Sequence, residues 1–298
     1  MQEQPLVSII TVVKDLFKNN RVNYFRQAVS SVQMQDYPNI EHLIIDGAST
    51  DGTVELLQQM KLNYISEPDS GIHDAVNKGF RLAKGKYIII LCSDDFYISP
   101  SGISDSVNVL ENSSADFSYS SNYVLTNDNI KKYLPHFNNC FFSHPTATPG
   151  IMWKKECLMD LNLFNEKYKI ASDFDLLIRA LLSGKQPIYC DNCFLVFRLG
   201  GISSSNNTKN ECIKIMEENF DISHEQATIS LKYGFLPKST LRKILLKTKN
   251  FPDVSGLIKQ NRKNFIKFLR KQLFELRTRK GKRCFRLFGI TFYQEEKL

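Results

Sequence analysis

The sequence predicts an α/β fold, with a mostly parallel central sheet flanked by helices, a basic helical C-terminal extension and a terminal β-hairpin. Three observations carry that prediction. Short β-branched runs alternate with helical spacing from Leu6 to Leu91, which implies right-handed crossovers between parallel strands. Polar clusters fall at the carboxyl ends of those runs, where open α/β sheets bind ligands. Charge divides sharply along the chain: residues 1–237 hold 21 basic and 27 acidic side chains, whereas residues 238–286 hold 17 basic and two acidic ones.

Leu6 to Val13 (LVSIITVV) reads as a strand buried on both faces. Val22 to Gln35 has helical spacing, with Tyr24, Phe25, Ala28, Val29 and Val32 on one side, and Tyr37-Pro38-Asn39 breaks it. Strands follow at Glu41 to Asp46, Leu62 to Ser66 and Lys86 to Leu91, separated by helices at Val54 to Met60 and Ile72 to Ala83. Beyond Asp95 the alternation loosens. Ser101 to Leu110 reads as a helix, Phe117 to Leu125 as a strand, and Lys131 to Thr148 as irregular. Ile151 to Trp153 and Phe194 to Arg198 read as strands, and Lys154 to Asp160 and Ala171 to Leu182 as helices. From Val254 to Leu276 apolar residues recur at helical spacing with Lys and Arg largely between them, a basic amphipathic helix. Cys284 to Tyr293 reads as a hairpin centred near Gly289.

A chain of 298 residues with 42% hydrophobic and 23% charged side chains suits a folded protein with one large core or a domain and an appendage. Its longest apolar run is far short of the roughly 20 residues a membrane-spanning helix needs. With no basic-then-apolar leader, the expected location is the cytoplasm. The odd set of seven cysteines suits a reducing compartment, and the lone Cys190-Asp191-Asn192-Cys193 lacks the partner ligands of a zinc site.

Four clusters carry chemistry. Asp94-Asp95, placed after the apolar run Tyr87 to Ile90, forms a carboxylate pair that repels itself unless a cation neutralises it, so Mg²⁺ or Mn²⁺ shared with a diphosphate is the expected guest. Asp46-Gly47-Ala48-Ser49-Thr50-Asp51-Gly52 ends a strand, and its acids and glycines serve equally as turn chemistry or as a nucleotide contact. Glu67 to Gly79 opens a helix on which Asp74 and Asn77 sit one turn apart, either a solvated polar face or a ligand contact. Ser172-Asp173-Phe174-Asp175 starts another helix, where acids complement the dipole and a positioned carboxylate can also serve as a general base.

In order, VSIITVVKD, IIDGASTDGT, EPDSGIHDAVNKG, LCSDD and ASDFDLLIRALL resemble the family 2 glycosyltransferases of the GT-A fold over about residues 5–200. EPDSGIHDAVNKG, HPTATPGIMW and FRLGGISS look most like bacterial enzymes of O-antigen, capsule or colanic-acid assembly. The resemblance implies an inverting transfer from a nucleotide-diphosphate sugar, with a UDP-sugar favoured, to a lipid-linked saccharide acceptor. Carried over by position, it assigns Thr11, Val12, Asp15 and Asp46 to the base and ribose, and Asp74, Asn77 and Lys78 to the nucleotide or donor sugar. Asp95 is then the metal ligand, Asp94 a ribose or metal contact, and Asp173 the catalytic base, while His144 and Arg198 line the acceptor side. VVKD, SDD and SDFD depart from the commoner forms of these motifs, which leaves the split of roles between Asp94 and Asp95 open. The expected division is a catalytic domain at 1–237, comprising a nucleotide half to about 115, an acceptor half to about 205 and helices to 237, followed by a tail at 238–298. The basic tail suits the anionic inner face of the plasma membrane, and no nucleic acid is expected as a partner. Rival readings are a nucleotidyltransferase, whose glycine-rich loop is missing from VVKDLFKNN, and an inactive scaffold that kept the fold.

Overall fold

The β-branched runs form the strands, beginning with β1 (Val7–Val13), whose side chains are almost all buried. In the computed structural model, which describes residues 4–126, 129–135, 137–142, 144–201, 206–248, 253–275, 284–287 and 290–293, the alternation continues through α1 (Val22–Gln33), β2 (Ile40–Asp46), α2 (Thr53–Gln59), β3 (Asn63–Ser66), α3 (Ile72–Leu82) and β4 (Tyr87–Ile90). These four strands pair in parallel in the order β3-β2-β1-β4, with Val13 opposite Asp46 and Ile10 opposite Ile90. Helix α3 crosses β1 so closely that a Cβ on Gly79 would sit 2.6 Å from the Ile10 side chain, so only glycine fits there.

Next come β5 (Phe96–Tyr97), α4 (Gly102–Glu111), β6 (Phe117–Leu125), β7 (Ile130–Tyr133), β8 (Ile151–Lys154), α5 (Lys155–Asp160), α6 (Ser172–Leu182) and β9 (Pro187–Arg198). They extend the same sheet as β4-β8-β6-β9-β5, with β7 on β6. Here the sheet is mixed, because β8 runs antiparallel to β4 and to β6 while β6 and β9 are parallel. Four of the eight pairings in the large sheet are parallel, fewer than the mostly parallel sheet expected from the sequence. One antiparallel pairing is a local hairpin, β7 turning straight back on β6 across Thr126 and Asn129, and β8, inserted between β4 and β6, supplies two more. The CxxC pair spans an irregularity in β9, with Cys190 opposite Ser120 and Cys193 opposite Ser121, and both thiols are free.

Four helices follow: α7 (Asn206–Phe220), α8 (His224–Tyr233), α9 (Lys238–Lys247) and α10 (Val254–Glu275). A Ser223/Gln226 capping box starts α8, and Gly234 in the left-handed region ends it. The change of charge at Pro237 brings no break in packing, since Leu241, Ile244 and Leu257 are buried in the same apolar cluster as Phe174, Leu177 and Ile215. Strands β10 (Cys284–Leu287) and β11 (Ile290–Tyr293) form the terminal hairpin; Gly289, where the sequence centres its turn, lies outside the described residues.

Candidate active site

The carboxyl ends of β1, β2 and β4 share one edge of the sheet, and the antiparallel β8 brings its amino end to the same edge. Hydrogen bonds between the connecting loops build the first wall. Asp46 is fully buried; its carboxylate accepts from the Ser66 hydroxyl at 2.6 Å and from the Ser49 N–H at 3.0 Å, and the Ser49 hydroxyl donates to its other oxygen. The Ser49 Oγ in turn accepts the Asp15 N–H at 2.7 Å, and Asp15 accepts the Thr50 N–H at 3.2 Å. Asp51 accepts the Lys18 N–H, and the Thr53 hydroxyl accepts the Leu16 N–H, so the loops after β1 and β2 are zipped together. Gly47 sits against Asp69, whose Oδ2 would lie 2.1 Å from a Cβ there. Of the residues assigned to base and ribose, Asp15 and Asp46 are thus joined through Ser49. Thr11 turns its hydroxyl to His42 Nε2 at 3.0 Å inside the sheet, and Val12 is partly exposed.

Helix α3 divides its polar residues between two jobs. Lys78 reaches back to the Pro68 carbonyl at 2.5 Å and to Glu67 at 3.2 Å, and Asp74 accepts the Ser70 N–H at 2.8 Å, which holds its carboxyl below the usual range. Asn77 points the other way and is buried, exchanging hydrogen bonds with both backbone groups of Phe164 at 2.9 Å and donating to Glu166. His73 beside it hydrogen-bonds the Tyr168 carbonyl at 2.8 Å, and burial lowers its pKa. Asp74 and Lys78 therefore face the Glu67-to-Ser70 loop, while Asn77 ties α3 to the loop that leads into α6.

The acid pair sits at the seam between the halves. Asp94 is ion-paired with Arg21 at 2.8 Å. Asp95 is 1% exposed; one oxygen accepts the Arg198 N–H at 2.8 Å, and Oδ2 has no partner. Burial, reinforced by the neighbouring Asp94, pushes the Asp95 carboxyl up to about 8 against the pull of that N–H. The Arg198 guanidinium donates to the Asp94 carbonyl and to Gln27 at 2.6 Å, and lies between the rings of Tyr24 and Phe96 at 4.5 and 4.7 Å. Arg198, assigned to the acceptor side from sequence, thus grips the acid pair. Tyr24, expected on the packed face of α1, is instead 45% exposed, with the Arg198 guanidinium over its ring.

Asp173 opens α6 at this edge. Its Oδ2 accepts the Thr148 hydroxyl at 2.6 Å and its Oδ1 accepts the Phe174 N–H at 2.8 Å, which aims the carboxylate and leaves it partly exposed. Desolvation of the part-buried Cys92 thiol first, then Asp95, Asp94 and Asp173, raises its pKa well above the ordinary thiol value. Thr148, just before the amino end of β8, holds Asp173 near the sheet edge at which β4 delivers Asp94 and Asp95. Upstream of Thr148, Thr146 is pinned to β6 by the Ser120 carbonyl and the Asn122 side chain. His144 Nδ1 contacts the Thr146 carbonyl, which can only accept, so Nδ1 carries the proton and the buried Nε2 is left as an acceptor without a partner. Arg21, Thr148 and Cys92 were given no role from sequence. Thr148 stands inside the quoted HPTATPG string, whereas Arg21 precedes its helix with no local pattern to mark it.

Asp95 Oδ2 is a buried, unpartnered carboxyl oxygen beside a second carboxylate, and a hard divalent cation, its other ligands coming from water and diphosphate, would favour the ionised form that burial opposes. Among the described residues no cluster of three or more His, Cys, Asp or Glu is arranged to hold a metal unaided.

An α/β sheet with acids along its carboxyl edge has its ligand crevice where open α/β sheets place theirs. Residues 17–198 match Glycosyl transferase family 2, and the chain belongs to that family. It is 27% identical over 283 residues to an uncharacterized glycosyltransferase of Rickettsia typhi, covering 86% of this chain and 81% of the relative. It is also 33% identical over 130 residues to the UDP-Glc:alpha-D-GlcNAc-diphosphoundecaprenol beta-1,3-glucosyltransferase WfaP of Escherichia coli, covering 42% of this chain and 49% of that one. Among solved structures, S. aureus TarS 1-349 in complex with UDP-GlcNAc superposes with a TM-score of 0.63 at 14% identity, covering 97% of this chain and 96% of that one. The mannosyltransferase PcManGT from Pyrobaculum calidifontis in complex with GDP-Man and Mn²⁺ gives 0.58 at 16% identity, covering 90% and 76%. The chain is therefore a glycosyltransferase of GT-A architecture.

Proposed function

We propose that this glycosyltransferase moves a sugar from a nucleotide-diphosphate donor, a UDP-sugar in the first instance, to a hydroxyl of a polyprenyl-linked saccharide in bacterial surface polysaccharide assembly, with inversion. The observation that carries the reading is that Thr148, just before β8, holds Asp173 toward the sheet edge where β4 ends in Asp94 and Asp95, because an inverting displacement needs a base and a neutralised leaving group on opposite sides of one carbon. The loops bearing Asp15 and Asp46 shape the nucleotide end, with Asp74 and Lys78 beside it. Asp173, oriented by Thr148, takes the proton from the acceptor hydroxyl as its oxygen bonds to the anomeric carbon and the bond to the diphosphate breaks. The nucleoside diphosphate departs with that electron pair. Asp95, with Asp94 beside it, would hold Mg²⁺ or Mn²⁺, which supplies neutralising charge to the leaving diphosphate. Arg198 and Arg21 keep that acid pair in place. His144 Nε2 is an acceptor positioned for a sugar hydroxyl.

Two relatives support the finer points. WfaP is described as acting on a diphosphoundecaprenol-linked sugar, and PcManGT is described in complex with Mn²⁺. A lipid-linked acceptor would place the enzyme at the inner leaflet, which suits its basic C-terminal helices. No helix among the described residues is long and apolar enough to cross a membrane. The test is to incubate the protein with UDP-, GDP- and dTDP-sugars, Mn²⁺ and a polyprenyl-diphosphate-linked sugar, then read the anomeric configuration of the product by NMR. A β-linked product from an α-linked donor is expected. Retention would overturn the inverting reading, and formation of a nucleotide-diphosphate sugar with release of diphosphate in a parallel incubation with UTP and a sugar 1-phosphate would overturn the transferase reading in favour of a nucleotidyltransferase.

A further inference from the structure

Helix α10 turns its two faces to different surroundings. On one face Leu257 is fully buried, Phe265 and Phe268 pack against Phe235 with centroids 5.2 Å away, and Phe268 meets Tyr233 at 4.8 Å. Asn261 closes this contact by hydrogen-bonding both backbone groups of Leu236, and Asn264 donates to the Gly234 carbonyl. Leu257, Phe265 and Phe268 of the apolar stripe are therefore taken up by the protein itself.

The opposite face is of another kind. Ile258, Arg262 and Ile266 form one ridge at four-residue spacing, and Lys259, Lys263 and Lys267 form the next, all exposed. Between Val254 and Phe274 the sequence holds six Lys or Arg and no acid. Ile258 and Ile266, 43% and 40% exposed, lie one helical ridge away from these lysines, so the face pairs cationic with aliphatic groups. Aliphatic side chains set among cations are what an anionic bilayer takes, since phosphates meet the ammonium groups while the isoleucines enter the headgroup boundary. A single-stranded nucleic acid would call for exposed aromatic rings, yet Phe265 and Phe268 are turned inward.

We infer that α10 docks flat on an anionic lipid bilayer through this outer face, with Ile258 and Ile266 as shallow anchors. The inference rests on the transferase reading only for its purpose, which is to hold the cleft near a lipid-borne acceptor. Co-sedimentation of the full chain with phosphatidylcholine vesicles, with and without one-third phosphatidylglycerol, tests it. Binding to the anionic vesicles alone is expected. K259E/K263E/K267E should weaken it roughly a hundredfold and I258S/I266S about tenfold, with unchanged thermal unfolding. Equal binding to neutral vesicles, binding to neither, a triple variant that binds like wild type, or tighter binding to a duplex or single-stranded oligonucleotide would each overturn it. Turnover of a detergent-solubilised acceptor, which neither variant should alter, reports on the transferase reading separately.

Discussion

The parallel part of the sheet, β1 to β4, and the mixed part beyond it treat their polar atoms differently. In the first, Asp46, Asp51 and Ser49 satisfy one another and the loop backbones, so that wall is rigid before any ligand arrives. At the seam and beyond it, Asp95 Oδ2 and His144 Nε2 are buried with no partner. An unsatisfied buried polar atom costs on the order of 1–3 kcal/mol, so a fold that keeps Asp95 Oδ2 unpaired beside Asp94 holds affinity in reserve for a guest. The comparison teaches where mutation should cost stability and where it should cost chemistry.

Asp173→Asn probes the chemical side and carries the largest expected effect. Transfer should fall about 10³-fold while donor binding and thermal stability stay near wild type, because only the proton acceptor is lost. Steady-state kinetics beside a donor-binding isotherm check this, and a loss of binding of the same size would make Asp173 a donor ligand instead. Asn77→Ala probes the other side. With two Phe164 backbone groups left unpaired, denaturant unfolding should show a loss of about 3 kcal/mol. If stability holds and donor KM rises, Asn77 belongs to the ligand site.

A smaller effect is expected from His42, whose pKa burial lowers to about 4 from the model-peptide value of 6.5. The unfolded chain binds a proton there that the folded chain refuses, so this residue's contribution is intact above pH 6.5 and is lost as pH falls toward 4. Asp95, raised to about 8, has the opposite sign, its native form keeping a proton that the unfolded chain releases as pH rises from about 4. Comparing wild type with His42→Asn isolates the histidine, and the variant should lose about 2 kcal/mol less than wild type between pH 6.5 and 4. Parallel pH profiles would mean that the imidazole is solvated.

Much of this architecture is legible in the sequence, for physical reasons. Val7 to Val13, Ile40 to Asp46 and Tyr87 to Ile90 are β-branched because both faces of a parallel strand are covered, and their acids follow because the sheet edge is open. Strand β7 is fully exposed and β5 is two residues long, so neither leaves a period to read. Residues 187–193 of β9 are hidden by an irregularity that breaks the alternation of Tyr189, Cys190, Asp191 and Asn192. Within the site, the acids announce themselves at strand and helix ends, yet their partners do not. Arg21 meets Asp94 across 73 positions, and Thr148 meets Asp173 across 25, distances over which no periodicity speaks. Arg198 needed its own N–H placed on Asp95 before its role could change from acceptor contact to clamp.

The central claim is that the acid edge forms one cation-dependent site for a sugar nucleotide. Thermal unfolding with UDP at about 100 times its dissociation constant tests it most directly, since a ligand confined to the folded state should add about 2.7 kcal/mol. The account predicts that wild type gains this stabilisation with Mn²⁺ and UDP together but not with UDP alone, and that Asp95→Asn does not gain it under either condition. Equal stabilisation of Asp95→Asn, or of wild type without the metal, would contradict it.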